Sequence, residues 1–150
     1  MDKVIKVVLV DDETSFVEPM SLLFQDKGYS VSVASNGQDA LKKIEEDKPD
    51  IVFIDIIMPD MDGYMVLKKI RENDQTLPVI MMSGYIEDTR AEKKISLQGA
   101  FATYYKGHDF SEALSLLKSA LKLEEEKQLR DGSDQVRLAG LEPATPSSEG

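Results

Sequence analysis

Five short apolar runs, rich in β-branched residues, punctuate the chain at 4–10, 29–34, 51–54, 78–82 and 100–105. Ile51-Val52-Phe53-Ile54 shows no polar alternation, the pattern of a strand buried on both faces of a sheet. The first run is nearly continuous in the same way, whereas 29–34 alternates apolar and polar residues and suits a strand nearer an edge. Between the runs, apolar residues recur at helical spacing. Phe16, Met20, Leu23 and Phe24 do so in 14–27, Ala40, Leu41 and Ile44 after Asn36-Gly37, and Val66, Leu67 and Ile70 in 64–72. A weaker helix is expected over 87–97, with Ala91 and Ile95 inward, and a last one carries Leu114, Leu117 and Leu121 on one face.

Local signals mark the ends. Gly28 stops the first helix, Pro49-Asp50 ends the second, and Asp109-Phe110-Ser111-Glu112 resembles a capping box. Pro19 falls early in the first helix and is harmless if that helix starts near Ser15. The last helix is expected to reach about Leu129, where Asp131-Gly132-Ser133-Asp134 breaks it and a flexible tail over 131–150 begins. Strand and helix alternate five times, which predicts an α/β domain over 3–126 and a helix extension and tail over 127–150. Strands separated by helices form a parallel sheet with helices on both faces, because crossovers are right-handed and each strand is buried.

Composition narrows the functional classes. A chain of 150 residues, 41% hydrophobic and 31% charged, supports one core of ordinary soluble type. A net charge of −10 offers no basic face, so no direct nucleic-acid partner is expected. The absence of cysteine excludes disulfides and thiolate metal sites and fits a reducing compartment. No apolar run approaches the ~18 residues that span a bilayer, and the N-terminus lacks a signal peptide's apolar core. The expectation is a cytoplasmic protein without a membrane partner.

The polar residues at the strand ends carry the chemistry. The first run ends on Asp11-Asp12-Glu13, the third on Asp55, the fourth on Ser83 and the fifth on Lys106. In a parallel sheet these ends share one edge, where ligands bind in open α/β folds. Alone, Asp12, Glu13 or Thr14 would cap a helix, Asp55 and Ser83 would be turn residues, and Lys106 a solvated surface cation. Together they are more specific. Clustered carboxylates repel one another unless a cation compensates, and oxygen ligands favour a hard ion such as Mg²⁺. A hydroxyl and an ammonium suit phosphoryl oxygens, and a carboxylate can itself accept a phosphoryl group. His108 reads as an exposed surface residue, the seven methionines as core filler, and Glu124-Glu125-Glu126 as a solvated helix face.

Leu9-Val10-Asp11-Asp12-Glu13, Asp55-Ile56-Ile57-Met58-Pro59-Asp60-Met61-Asp62-Gly63, Val79-Ile80-Met81-Met82-Ser83-Gly84 and Lys106 at a strand end stand in order and spacing. In these motifs the chain resembles the receiver domain of two-component response regulators over about 3–126. The resemblance implies a flavodoxin-like (βα)5 fold with strand order 2-1-3-4-5. It also implies a phosphorylation-dependent switch, not an enzyme, that takes a phosphoryl group on Asp55 from a sensor histidine kinase or a histidine phosphotransfer protein. Asp11, Asp12, Asp55 and the Ile57 carbonyl would hold Mg²⁺, and Ser83 and Lys106 would bind the phosphoryl oxygens. Phosphorylation would draw Ser83 inward and repack the face made by the fourth helix, fifth strand and fifth helix, which controls an unknown downstream protein.

Two positions depart from the family's pattern. Thr103 stands where an aromatic switch residue is usual, and Gly107 where a proline usually follows the lysine. Alternation points Tyr105 to the side of Thr103 and Tyr104 to the other, so either Tyr105 takes over part of the switch or coupling runs through Ser83 and the loop alone. Ile57 and Tyr85 lie two residues past Asp55 and Ser83, and neither can orient water, which predicts a long-lived phosphoryl group. Three alternatives remain: a phosphorelay intermediate, an aspartyl-phosphate hydrolase, and a flavodoxin-type binding module. The hydrolase would need Asp-x-Asp where Asp11-Asp12-Glu13 stands, and the binding module a Ser, Thr and Gly-rich loop where this one is acidic.

Overall fold

The computed structural model describes residues 3–84 and 99–138. Each apolar run forms a strand: β1 (Lys6–Val10), β2 (Ser30–Ala34), β3 (Ile51–Asp55), β4 (Val79–Ser83) and β5 (Ala102–Tyr105). Helices α1 (Thr14–Asp26), α2 (Gly37–Asp47) and α3 (Gly63–Asn73) separate the first four, and a C-terminal helix spans Phe110–Leu138. The sheet is parallel throughout, in the order β2-β1-β3-β4-β5. This is the expected order. β1 and β3 occupy its centre, so Asp11 and Asp55 leave the sheet side by side.

Strand alternation divides the core into two layers. On one face, Val8, Val10, Val52, Ile54, Val79 and Met81 pack with Val66, Leu67 and Ile70 of α3 and Ala40 of α2. On the other, Val7, Leu9, Phe53, Ile80, Met82 and Tyr104 meet Val17, Met20 and Phe24 of α1 and Leu117 of the C-terminal helix. All five residues of β3 are buried, as a strand covered on both faces must be. Gly28 takes φ +98°, the left-handed conformation that releases the chain from α1. Asn36 caps α2 by accepting the Asp39 N–H at 2.8 Å.

Three expectations need correction or restriction. The C-terminal helix does not break at Asp131-Gly132-Ser133-Asp134 but continues to Leu138. A single helical glycine costs only ~1 kcal/mol relative to alanine, and no proline lies between Phe110 and Pro143 to enforce a stop. The capping box is half made: Asp109 accepts the Ser111 N–H at 2.8 Å, but the Glu112 carboxylate pairs with His108 Nδ1 at 2.9 Å. Helix α1 begins at Thr14, so Pro19 lies inside it and offers no N–H to the preceding turn. The helix expected over 87–97 and the last part of the expected tail lie outside the described residues. Among the described residues, no helix is long and apolar enough to cross a membrane.

Candidate functional site

The parallel register brings the polar strand ends to one edge. Val10 pairs with Ile54, Asp55 with Met82, and Ser83 with Tyr105, so the chain delivers Asp11, Asp55, Ser83 and Lys106 to the same mouth. Asp11 is 1% exposed; its N–H donates to the Ala34 carbonyl at 3.0 Å. Its Oδ1 accepts the Glu13 N–H at 2.9 Å, which turns the chain into α1. Its Oδ2 is buried, accepts no hydrogen bond, and lies 2.8 Å from the Lys106 Nζ. Asp55 is 5% exposed, with Oδ2 3.4 Å from the same ammonium. Asp12 is exposed, yet one oxygen from each of Asp11, Asp12 and Asp55 lies within 4.8 Å of the others.

The electrostatics follow from this crowding. Burial, then the neighbouring Asp11 charge, push the Asp55 carboxyl up to about 6, against the opposing pull of Lys106 and of the Ile57 N–H that it accepts. Burial lowers the affinity of Lys106 for its proton, but Asp11, Glu13 and Asp55 together outweigh it and hold the ammonium above its ordinary range. Among the described residues, one cation therefore stands at a mouth with four carboxylates, counting Asp12. The all-oxygen donor set, the buried Oδ2 of Asp11, held by an ion pair without a hydrogen bond, and the solvent-facing Asp12 fit a hard divalent cation that keeps part of its water shell.

The loop after Asp55 is fixed from both ends. The Gly63 N–H donates to the Ile56 carbonyl at 2.7 Å. A Cβ at Gly63 would lie 2.4 Å from the Asp55 carbonyl oxygen, so only glycine admits this approach. Asp62 caps α3 by accepting the Met65 N–H at 2.9 Å. Asp60 reaches the start of α2 and accepts the Gly37 and Gln38 N–H groups at 3.0 and 3.2 Å. The Gly37 amide, first among its partners, holds the Asp60 carboxyl below the usual range. Met58 is buried in the core beneath the loop.

The remaining expected site residues fall as follows. Ser83 is half-buried at the end of β4, and its carbonyl accepts the Lys106 N–H at 2.9 Å. Thr103 sits opposite Met81 and Tyr105 opposite Ser83, both half-buried. Tyr104 is fully buried on the other face, and its hydroxyl donates to the His108 carbonyl. The Ile57 side chain is 77% exposed. Tyr85 lies outside the described residues. Two contributors were not foreseen in the sequence. Glu13 occupies the N-cap of α1 but makes no side-chain cap; its Oε1 binds the Lys106 Nζ at 2.7 Å. Asp60 closes its link to α2 across 23 residues, a distance at which no sequence spacing rule operates.

The family profile of the response regulator receiver domain matches residues 7–118. The chain is 34% identical over 128 residues to the regulatory protein AtoC of Escherichia coli (strain K12), covering 85% of this chain and 28% of that protein. Over 118 residues it is 31% identical to sporulation initiation phosphotransferase F of Bacillus subtilis (strain 168), covering 79% of this chain and 94% of that one. The crystal structure of a CheY-like response regulator receiver domain protein from Methanospirillum hungatei superposes with a TM-score of 0.78 at 26% identity, covering 83% of this chain and 99% of that one. The chain spans roughly a third of the length of AtoC and the other transcriptional regulators it matches. With its parallel five-stranded sheet and its acidic mouth, the chain belongs to the response regulator receiver domain family of two-component signalling.

Proposed function

We propose that Asp55 is the phosphoryl acceptor of this receiver, and that its phosphorylation switches the protein between two states read by a partner protein. The observation that carries this reading is the placement of Asp55: buried at the mouth, 3.4 Å from Lys106, with oxygens of Asp11 and Asp12 within 4.8 Å. A buried carboxylate among others is costly, and such placement marks groups held for chemistry. At neutral pH, a group with a pKa of about 6 is mostly ionised and therefore nucleophilic.

In the proposed transfer, an Asp55 carboxylate oxygen attacks phosphorus. The bond from phosphorus to the donor's imidazole nitrogen breaks, and the nitrogen leaves with the electron pair. The donor is a histidine kinase or a histidine phosphotransfer protein. Asp11, Asp12, Asp55 and the Ile57 carbonyl would hold Mg²⁺, which when bound neutralises the charge that accumulates on phosphoryl oxygens. Lys106 and the Ser83 hydroxyl take the remaining oxygens, and the buried floor beneath Asp55 keeps water from its rear.

The switch then follows as a local electrostatic change that biases two packings. Ser83 moves toward the phosphoryl group, and Tyr105, its neighbour in register on β5, follows on the half-buried side that Thr103 shares. The output surface is the one flanked by β5 and the C-terminal helix. A cytoplasmic setting is consistent with this role, since the donors of such phosphoryl groups act there. A second reading, a relay that hands its phosphoryl group to another histidine, is favoured by the 94% coverage of a sporulation phosphotransferase. Incubation with Mg²⁺ and acetyl phosphate should add one phosphoryl mass to the parent and none to Asp55→Asn. No mass gain in the parent would overturn the reading.

A further inference from the structure

Among the described residues, Glu13 is the one acidic group at the mouth for which the proposed transfer has no task. It stands at the N-cap of α1, where an acidic side chain ordinarily accepts helix N–H groups, yet it makes no such bond. Its carboxylate instead turns across the mouth to Lys106. The Nζ–Oε1 distance of 2.7 Å is shorter than the 2.8 Å to Asp11 and the 3.4 Å to Asp55. The ring of Phe16, in the first turn of α1, lies 4.8 Å from the same Nζ, a cation–π contact. An ammonium has three N–H donors. Here Asp11 and Glu13 engage it at close range, and Asp55 receives it only at arm's length.

We propose that Glu13 is a positioning residue for Lys106 and a brake on phosphoryl loading. It holds the ammonium away from Asp55, so an incoming phosphoryl group must displace the Glu13 carboxylate before Lys106 can bind a phosphoryl oxygen. The inference rests on the reading of Asp55 as phosphoryl acceptor. It goes beyond that reading by assigning a role to the third residue of Asp11-Asp12-Glu13. Glu13 is half in solvent, so exchanging it for a phosphoryl oxygen requires no core rearrangement. The same exchange frees its carboxylate to cap α1, which makes the start of that helix sensitive to whether Asp55 is loaded.

The test compares the full chain with Glu13→Gln and with Glu18→Gln. The second variant removes an equal charge from an exposed position on α1. Acetyl phosphate with Mg²⁺ is the donor: an Asp55 oxygen bonds to phosphorus, the bond from phosphorus to the acetate oxygen breaks, and acetate leaves. Removing a competing charge within a few ångströms of the ammonium should speed loading by about three- to tenfold, followed by intact mass. Glu18→Gln should stay within about twofold of the parent, and the Glu13→Gln gain should shrink but persist in high salt, because a pair in contact with one partner nearly buried is screened only in part. In the unloaded protein, the ¹⁵N resonance of the Lys106 ammonium should move in Glu13→Gln and not in Glu18→Gln. A Glu13→Gln rate equal to the parent's or to that of Glu18→Gln, or a gain abolished by salt, overturns the inference. Failure of the parent itself to load overturns the reading beneath it.

Discussion

Replacing Asp55 by Asn should stabilise the metal-free fold at neutral pH, even though it removes a charged partner of Lys106. The carboxyl is 5% exposed, its pKa is pushed up to about 6 from 3.8, and the Asp11 charge adds to the effect of burial. A folded-state value above the unfolded one means that the native protein binds the proton more tightly. Stability is then greatest while Asp55 is protonated and falls as pH rises from about 4 through about 6, where the native state holds more protons than the unfolded chain. A tenfold change in proton affinity is worth ~1.4 kcal/mol, and the rise from 3.8 to about 6 sets a bare ceiling of about 3 kcal/mol. The mouth is open to water on the Asp12 side, and screening there reduces the expected value to about 1–2 kcal/mol. The assay is urea unfolding followed by far-UV circular dichroism, since the chain has no tryptophan, with chelator present. At pH 7.5 the Asn variant should be the more stable by that amount, and the gap should narrow as pH falls through 6 and close below about pH 4. Carboxyls held below their usual range, such as Asp60 and Asp109, titrate alike in both proteins and cancel in the difference. Saturating Mg²⁺ should reverse the order, since an ion bound at about a hundred times its Kd adds ~2.7 kcal/mol to the parent. An Asn variant less stable than the parent in chelator at pH 7.5 would refute the electrostatic reading of the mouth.

Three further outcomes follow from the geometry. Gly63→Ala should destabilise the fold by about 1–3 kcal/mol in the same assay, because its Cβ would meet the Asp55 carbonyl oxygen, a backbone atom that cannot step aside. Asp60→Ala should loosen the start of α2, and native-state hydrogen exchange should show faster exchange at the Gly37 and Gln38 amides with α3 unaffected. The phosphoryl group on the parent should decay over many minutes in Mg²⁺ buffer. Ile57→Glu, which puts a carboxylate beside Asp55 to orient water, should shorten that lifetime as read by intact mass; decay of the parent within seconds would contradict this.

The sheet was legible because burial on both faces leaves a signature that needs no partner to be read. Ile51 to Ile54 and Val79 to Met82 admit no polar residue, so their strands and parallel pairing follow from composition and from the helices between them. The mouth was legible for the same reason: residues that end parallel strands must share an edge, which places Asp11, Asp55, Ser83 and Lys106 together. Helix ends were less so. The break expected at Asp131 to Asp134 rested on a short cluster of weak helix formers with one glycine, whose cost is small beside the helix already propagating from Phe110. The Asp109-to-Glu112 box was half right because His108, one residue before the cap, competes for the Glu112 carboxylate.

Long-range polar contacts escaped altogether. Glu13 reaches Lys106 across 93 residues and Asp60 reaches Gly37 across 23, and in sequence each looks like an ordinary acid at a helix start or in a loop. Only the folded register shows that the side chain of Glu13 leaves its helix for the mouth. Alternation along β5 did separate Tyr104, now fully buried against α1 and the C-terminal helix, from Tyr105 beside Ser83. That placement keeps Tyr105 as the aromatic residue nearest in register to the expected hydroxyl ligand.

The central claim is that Asp55 itself carries the phosphoryl group. Borohydride reduces an acyl phosphate to an alcohol and converts the phosphorylated aspartate to homoserine, which peptide mass spectrometry can locate. After loading with acetyl phosphate and Mg²⁺, homoserine should occur at position 55 and at no other aspartate. Homoserine at position 11 or 12, or at none, would contradict the account.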